Sequence, residues 1–247
     1  MNGSSLKIPS ELAACVREAS SLAVLTGSGI SAESGVPTFR DAQTGLWARY
    51  DPQELATPEA FARNPRLVWE WYEWRRDLVG RAEPNPGHQA LVELETRAPH
   101  FTLITQNVDG LHQAAGSRAV IELHGNIRRT RCSEEGVIVE EYGDGRPPRC
   151  PRCGAFLRPD VVWFGEMLPV GALEEASEAA RGCDLFLSIG TSSLVYPAAG
   201  LPYEALESGA TVVEINPSET PLTRRVHHAL RGRTGEVLPE LLVRSSG

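Results

Sequence analysis

Short, uninterrupted apolar runs recur along the chain, separated by stretches whose apolar residues return at helical spacing. Leu22, Ala23, Val24 and Leu25 form one such run, and residues 101–105 (FTLIT), 120–123 (VIEL), 184–189 (DLFLSI) and 211–215 (TVVEI) form others. Runs of this length, closed by turn residues, suit strands buried on both faces. Helices are predicted over 10–19, 172–180 and 196–208. In the first, Ser10 is the candidate N-cap, and Leu12, Ala13, Val16 and Ala19 share a face. Strands alternating with helices predict an α/β fold, a doubly wound parallel sheet covered on both faces.

The rhythm breaks twice. Roughly sixty residues separate Arg40 from the run at 101, where a βαβ unit would return promptly. That stretch is helical and aromatic-rich, with a helix start at Thr57-Pro58-Glu59, a second helix over 65–79, and a third from His88 after Pro84-Asn85-Pro86-Gly87. From 127 to 158 the composition turns to charge, Gly, Pro and Cys, with too little apolar surface to hold itself together without a metal or a neighbour. The expected organisation is a Rossmann-like domain from 1–41, 87–126 and 161–247. A smaller inserted domain combines a helical module, 42–86, with a zinc-ribbon-like module, 127–160.

Three strand ends carry small or amide residues: Gly27-Ser28-Gly29, Gly190-Thr191-Ser192-Ser193 and Asn216-Pro217-Ser218. Gly27-x-Gly29-x-x-Ala32 matches the dinucleotide fingerprint, in which one glycine makes the turn, the next admits a pyrophosphate and a small residue packs helix on strand. A helix from Ser31 then aims its amides at a phosphate. The plain alternative is a Gly-rich structural turn. An acidic ribose ligand about twenty residues on, usual in dehydrogenases, is replaced by the helical insert, which disfavours hydride transfer.

Gly35-Val36-Pro37-Thr38-Phe39-Arg40, Thr105-Gln106-Asn107-Val108-Asp109-Gly110-Leu111-His112 and Leu123-His124-Gly125-Asn126 together resemble the sirtuin family, the NAD-consuming protein lysine deacylases. The resemblance runs from about Leu22 to the end of the chain. It implies that NAD binds at Gly27, Ser28, Gly29, Ala32, Phe39, Arg40, Gln106, Asn107, Asp109, Gly190, Thr191, Ser192, Asn216, Pro217 and Ser218. Asn107 and Asp109 are expected to act with His124, the general base. An imidazole titrates near neutral pH, as proton transfer from a ribose hydroxyl requires. The implied products are free lysine, nicotinamide and an acylated ADP-ribose. His88 and His112 are read as structural.

Substrate choice is carried by the insert. Tyr72 and Arg75 stand at i and i+3, side by side on one helix face. A guanidinium fork and a phenol in an acyl-lysine channel would bind a carboxylate. The pair matches the Tyr-x-x-Arg of the sirtuin class that removes succinyl and malonyl groups, and Ala56 matches the small residue that admits a longer acyl chain. The bland reading is an exposed Arg75 paired with Glu73 or Asp77. Val161, Val162 and Phe164, in Val-Val-Trp-Phe-Gly-Glu, resemble the family's channel segment, whose backbone pairs with the peptide as an added strand. The alternative there is a core strand.

Cys15, Cys132, Cys150, Cys153 and Cys183 are odd in number, which does not describe a disulfide framework. Cys150-Pro151-Arg152-Cys153 sets two thiols on one turn, and with Cys132 predicts a structural zinc. The family's second Cys-x-x-Cys is broken, because Glu135 stands three residues after Cys132. The fourth ligand is therefore Glu135, a water or absent, and a redox pair or unmetallated module is the alternative.

Formal net charge is −8, which argues against a broad nucleic-acid footprint and suits a basic peptide around an acylated lysine. No apolar run reaches membrane-span length and the first residues lack a secretory layout, so the expectation is a cytoplasmic protein without membrane partners. The predicted function is an NAD-dependent protein lysine deacylase acting on succinyl-, malonyl- and acetyl-lysine. The competing readings are an NAD or ADP-ribose sensor and a protein ADP-ribosyltransferase. Protein targets and oligomeric state are not legible.

Overall fold

The computed structural model describes residues 8–37 and 50–246. Helix α1 (Ser10–Glu18) leads into β1 (Ser21–Thr26), which turns into the short helix α2 (Ser28–Ala32). The insert carries α3 (Pro52–Leu55), α4 (Pro58–Arg63) and α5 (Pro65–Gly80), and α6 (Pro86–Arg97) returns to β2 (His100–Thr105), α7 (Leu111–Ala115) and β3 (Val120–Glu122). Then come β4 (Gly125–Cys132), β5 (Leu157–Val161), α8 (Val170–Gly182), β6 (Leu185–Ile189), α9 (Leu201–Glu207), β7 (Thr211–Ile215), β8 (His228–Leu230) and α10 (Thr234–Ser245).

Among the described residues, six strands form one parallel sheet in the order β3-β2-β1-β6-β7-β8. With the separate antiparallel pair β4–β5 set aside, this is the dinucleotide-binding strand order, and it reverses between β1 and β6. The apolar runs are buried because both faces are covered. Helices α1, α6 and α10 pack Leu12, Leu91, Leu94, Val237 and Leu241 on one face, and α8 and α9 pack Ala176, Ala180, Leu201 and Ala205 on the other. A fully buried leucine or isoleucine in such a layer contributes roughly 1.5–3 kcal/mol.

The inserted helices begin where Pro and capping residues place them. Thr57 accepts the Ala60 amide at 3.1 Å, Asn64 accepts that of Leu67 at 3.1 Å, and Asn85 with His88 forms a reciprocal capping box. Helix α5 is fastened to β4 by Arg76, whose guanidinium donates to the carbonyls of Ile127 (2.6 Å) and Arg129 (2.9 Å) and to the Thr130 hydroxyl (3.0 Å). Trp69 of α5 packs with Cys132, Cys150 and Leu157, so the aromatic helix covers the cysteine turn.

Several expectations are corrected. Helix α1 starts on Ser10 itself, with Pro9 at the cap position and no side-chain cap. Helix α2 begins at Ser28, not Ser31, and Ala32 is exposed, so it is not the small residue that packs helix on strand; Ile30 and Ser31 are buried instead. The helix expected over 196–208 starts at Leu201 after a single 3-10 turn, Ala198–Gly200, leaving Tyr196 exposed. α7, β8 and α10 lie where no element was expected. Among the described residues, no helix is long and apolar enough to cross a membrane.

Candidate active site and metal centre

The glycines of the first strand end earn their place by contact with a second strand end. A Cβ on Gly27 would sit 2.8 Å from the Gly190 carbonyl oxygen, and one on Gly29 would sit 2.7 Å from Gly190 Cα. Gly190 itself has φ +60°, and a Cβ there would lie 2.6 Å from the Ile30 nitrogen. The loops after β1 and β6 thus cross backbone to backbone at the point where strand order reverses. The Gly29 amide donates to Gly190 O at 2.8 Å, so less of the α2 N-terminus faces a phosphate than the fingerprint predicts.

Above this crossing lies a cleft of about 580 Å³. Gly27, Ser28, Gly29, Gln106, Asn107, Asp109, His124, Gly190, Thr191, Ser192, Asn216 and Ser218 line it, as do Ala56, Tyr72, Arg75, Val161, Val162 and Phe164. Ala32 and Pro217 do not line it, since both point to solvent. Phe39 and Arg40 lie outside the described residues. The cleft floor, built from glycines, small hydroxyls and amides of adjacent strand ends, suits the neutral, hydrogen-bonding cradle a dinucleotide needs.

After β2 the polar residues are held in fixed orientations. Asn107 donates its amide to Gly27 O and Ser31 Oγ, both at 3.1 Å, which fixes which end is oxygen and leaves Oδ1 as acceptor. Asp109 accepts the Leu111 amide at 2.9 Å. Burial pushes its carboxyl up, while the Leu111 amide, the Ser31 hydroxyl and the Arg128 and Arg75 guanidiniums pull it down. Gln106 reaches across to Thr191 Oγ1 at 3.2 Å.

His124 follows β3, and its Nδ1 lies 2.9 Å from the Gln106 carbonyl oxygen. A carbonyl only accepts, so Nδ1 carries the proton and Nε2 carries the lone pair whenever the ring is neutral. Burial lowers its pKa, with the Gln106 carbonyl opposing, so the neutral, base-competent ring persists below the usual imidazole range. Beneath the cleft His88 and His112 are fully buried with ring centroids 5.0 Å apart, and burial drives them down to about 4 and about 3.

The opposite wall belongs to the insert. Tyr72 is 2% and Arg75 8% exposed, so Arg75 is not the exposed surface arginine of the bland reading. Burial pushes the Tyr72 phenol up to about 12 and keeps it neutral; burial also lowers Arg75, with the Asp109 carboxylate opposing. Trp163 Nε1 donates to Tyr72 Oη at 2.9 Å. This contact spans ninety-one positions and has no sequence signal. Val161 closes β5, and the amides beyond it are committed: Val162 to His124 O, Phe164 to Ala56 O, both 2.9 Å, and Trp163 to Glu166 at 2.8 Å. These three amides are therefore engaged within the chain, and the segment past Val161 is not itself a strand.

The cysteines gather as expected. Ligand atoms of Cys132, Cys150, Cys153 and Glu135 all lie within 4.8 Å of one another, with Cys132 and Cys153 sulfurs 3.4 Å apart. Three thiols and a carboxylate so grouped fit a tetrahedral zinc. The Glu135 amide donates to Cys132 Sγ at 3.4 Å, and Arg152 holds the Glu135 carboxylate at 3.2 Å.

The Sir2 family profile matches residues 27–197. An NAD-dependent protein deacylase of Aquifex aeolicus is 56% identical over 219 residues, 87% of this chain and 91% of that protein. Another, of Methylococcus capsulatus, is 53% identical over 247 residues, covering 96% and 97%. A crystal structure of a Sir2 homolog–NAD complex superposes with TM-score 0.91 at 47% identity, covering 98% of this chain and 95% of that one. With its strand order, its glycine crossing and its His124 cleft, this chain belongs to the Sir2 family.

Proposed function

We propose that the protein is an NAD-dependent protein lysine deacylase that prefers acidic acyl groups, succinyl and malonyl, while also accepting acetyl-lysine. Its co-substrate supplies a C–N glycosidic bond whose cleavage frees nicotinamide and opens the ribose carbon to the acyl oxygen. Asn107 Oδ1 and the Asp109 carboxyl, fixed at the end of β2, position the ribose and nicotinamide side. His124 Nε2 takes a ribose hydroxyl proton, its tautomer set by the Gln106 carbonyl. Val161, Val162 and Phe164 flank the lysine channel, and the products are free lysine, nicotinamide and acyl-ADP-ribose. Cys132, Cys150, Cys153 and Glu135 would hold a zinc that cross-links the β4–β5 module and takes no part in the chemistry.

One observation carries the acyl preference: a buried guanidinium and a neutral phenol open into the same cleft as His124. A desolvated arginine gains most from a carboxylate that pairs with it, and an acetyl group offers none. In Arg75→Met, desuccinylation is expected to fall at least about tenfold while deacetylation changes a few-fold or less. Equal loss of both activities, on one peptide carrying each acyl group, would remove the acidic preference.

A further inference from the structure

We infer that Trp163 is a positioning residue for acyl specificity: through its indole N–H it aims the Tyr72 hydroxyl proton at the carboxylate of an acidic acyl group. The inference rests on the acidic-acyl reading of the cleft.

An indole nitrogen can only donate. At 2.9 Å from Trp163 Nε1, the Tyr72 oxygen must therefore accept, and the phenol's own proton is turned away from Trp163. A hydroxyl with no such neighbour rotates between donating and accepting; this one is set as a donor before any ligand arrives. Burial keeps the proton on. Both rings are 2% exposed and stack at 6.3 Å between centroids with 30° between planes.

Trp163 is itself clamped. Arg158 lies over its ring with Cζ 3.2 Å from the centroid, and the guanidinium is forked onto Glu166 at 2.5 and 2.9 Å. Glu166 Oε2 also accepts the Trp163 backbone amide at 2.8 Å. One ion pair thus holds the indole from its backbone and its face, and the indole holds Tyr72. The Tyr72 hydroxyl is then set as a donor without reorganisation at binding, on the same cleft as Arg75. Preorganised donors favour a carboxylate over an acetyl methyl group.

The test is a double-mutant cycle read as a ratio: kcat/KM for a succinyl-lysine peptide over kcat/KM for its acetyl counterpart, in wild type, Trp163→Phe, Tyr72→Phe, both together, and Arg75→Met. Trp163→Phe and Tyr72→Phe should each lower the ratio by about tenfold, mainly through the succinyl KM, and the double variant should fall no further than either. Arg158→Lys, which keeps the charge but lacks the fork, should lower the ratio in the same direction and stands in if Trp163→Phe does not fold. The inference is overturned if Trp163→Phe and Arg158→Lys leave the ratio unchanged, or if the double variant falls by the product of the singles. Should Arg75→Met and Tyr72→Phe leave the ratio intact, the acidic-acyl reading itself goes, a result distinct from failure of Trp163 alone.

Discussion

The proton inventory of single side chains decides most of the chemistry. His124 is held with Nδ1–H on a carbonyl, so replacing it by asparagine should lower acyl-peptide-dependent nicotinamide release by about 10²-fold or more, with thermal stability little changed. Because burial lowers its pKa, the acid limb of kcat/KM for free enzyme should lie below the usual imidazole value near 6.5, not at it. His88 and His112 make a different prediction. Their folded values, about 4 and about 3, lie below those of the unfolded chain, so the unfolded state binds more protons in between. Their stabilising contribution is complete above pH about 6.5 and is lost as pH falls toward those values. Melting temperature should therefore drop across that window, and His88→Gln should flatten the drop. These histidines were read as structural despite their motif settings; their mutual contact was not legible, because residues 88 and 112 meet only in the folded chain.

At the scale of elements, the sequence was most legible where apolar runs and caps were strong. β1, β2, β6 and β7 follow from their runs, α4 from Thr57 ahead of Pro58 and α5 from its apolar spacing, while α6 begins at Pro86, two residues before the expected His88, because Asn85 caps it. β8 has only three residues and no apolar run; it exists because β7 offers a parallel edge for His228, Ala229 and Leu230. The interior Pro239 weakens the helical signal of α10. The glycine fingerprint located the right turn for an incomplete reason, since the closest approach is between two loops of the chain itself. Gly190→Ala should accordingly lower both melting temperature and NAD affinity, measured by calorimetry; an unchanged melting temperature would contradict the crossing. In the metal element, cobalt substitution should give charge-transfer absorption of three thiolates, and Glu135→Cys should raise it by about a third. Chelation should expose 132–157 to protease while the parallel sheet keeps its circular dichroism.

Over the whole molecule the formal charge is −8, and the proposed substrate is a lysine-centred segment. Peptides with flanking arginines should show lower KM than those with flanking glutamates, and the gap should shrink as ionic strength rises. An ungapped salt series would leave charge out of recognition. The cleft draws its two walls from elements far apart in the chain, which is why the strand-end residues and the Tyr72–Arg75 pair could each be located in sequence while their distance could not.

Arg76 is the neighbour of Arg75, and its three hydrogen bonds rivet the helix bearing Tyr72 to a β-strand that ends in a zinc-ligand cysteine. If the acyl preference resides in Tyr72 and Arg75 as proposed, discrimination among acyl chains depends on a zinc that never meets them. A partly demetallated enzyme would go on turning over acetyl-lysine while growing careless about the longer, acidic chains.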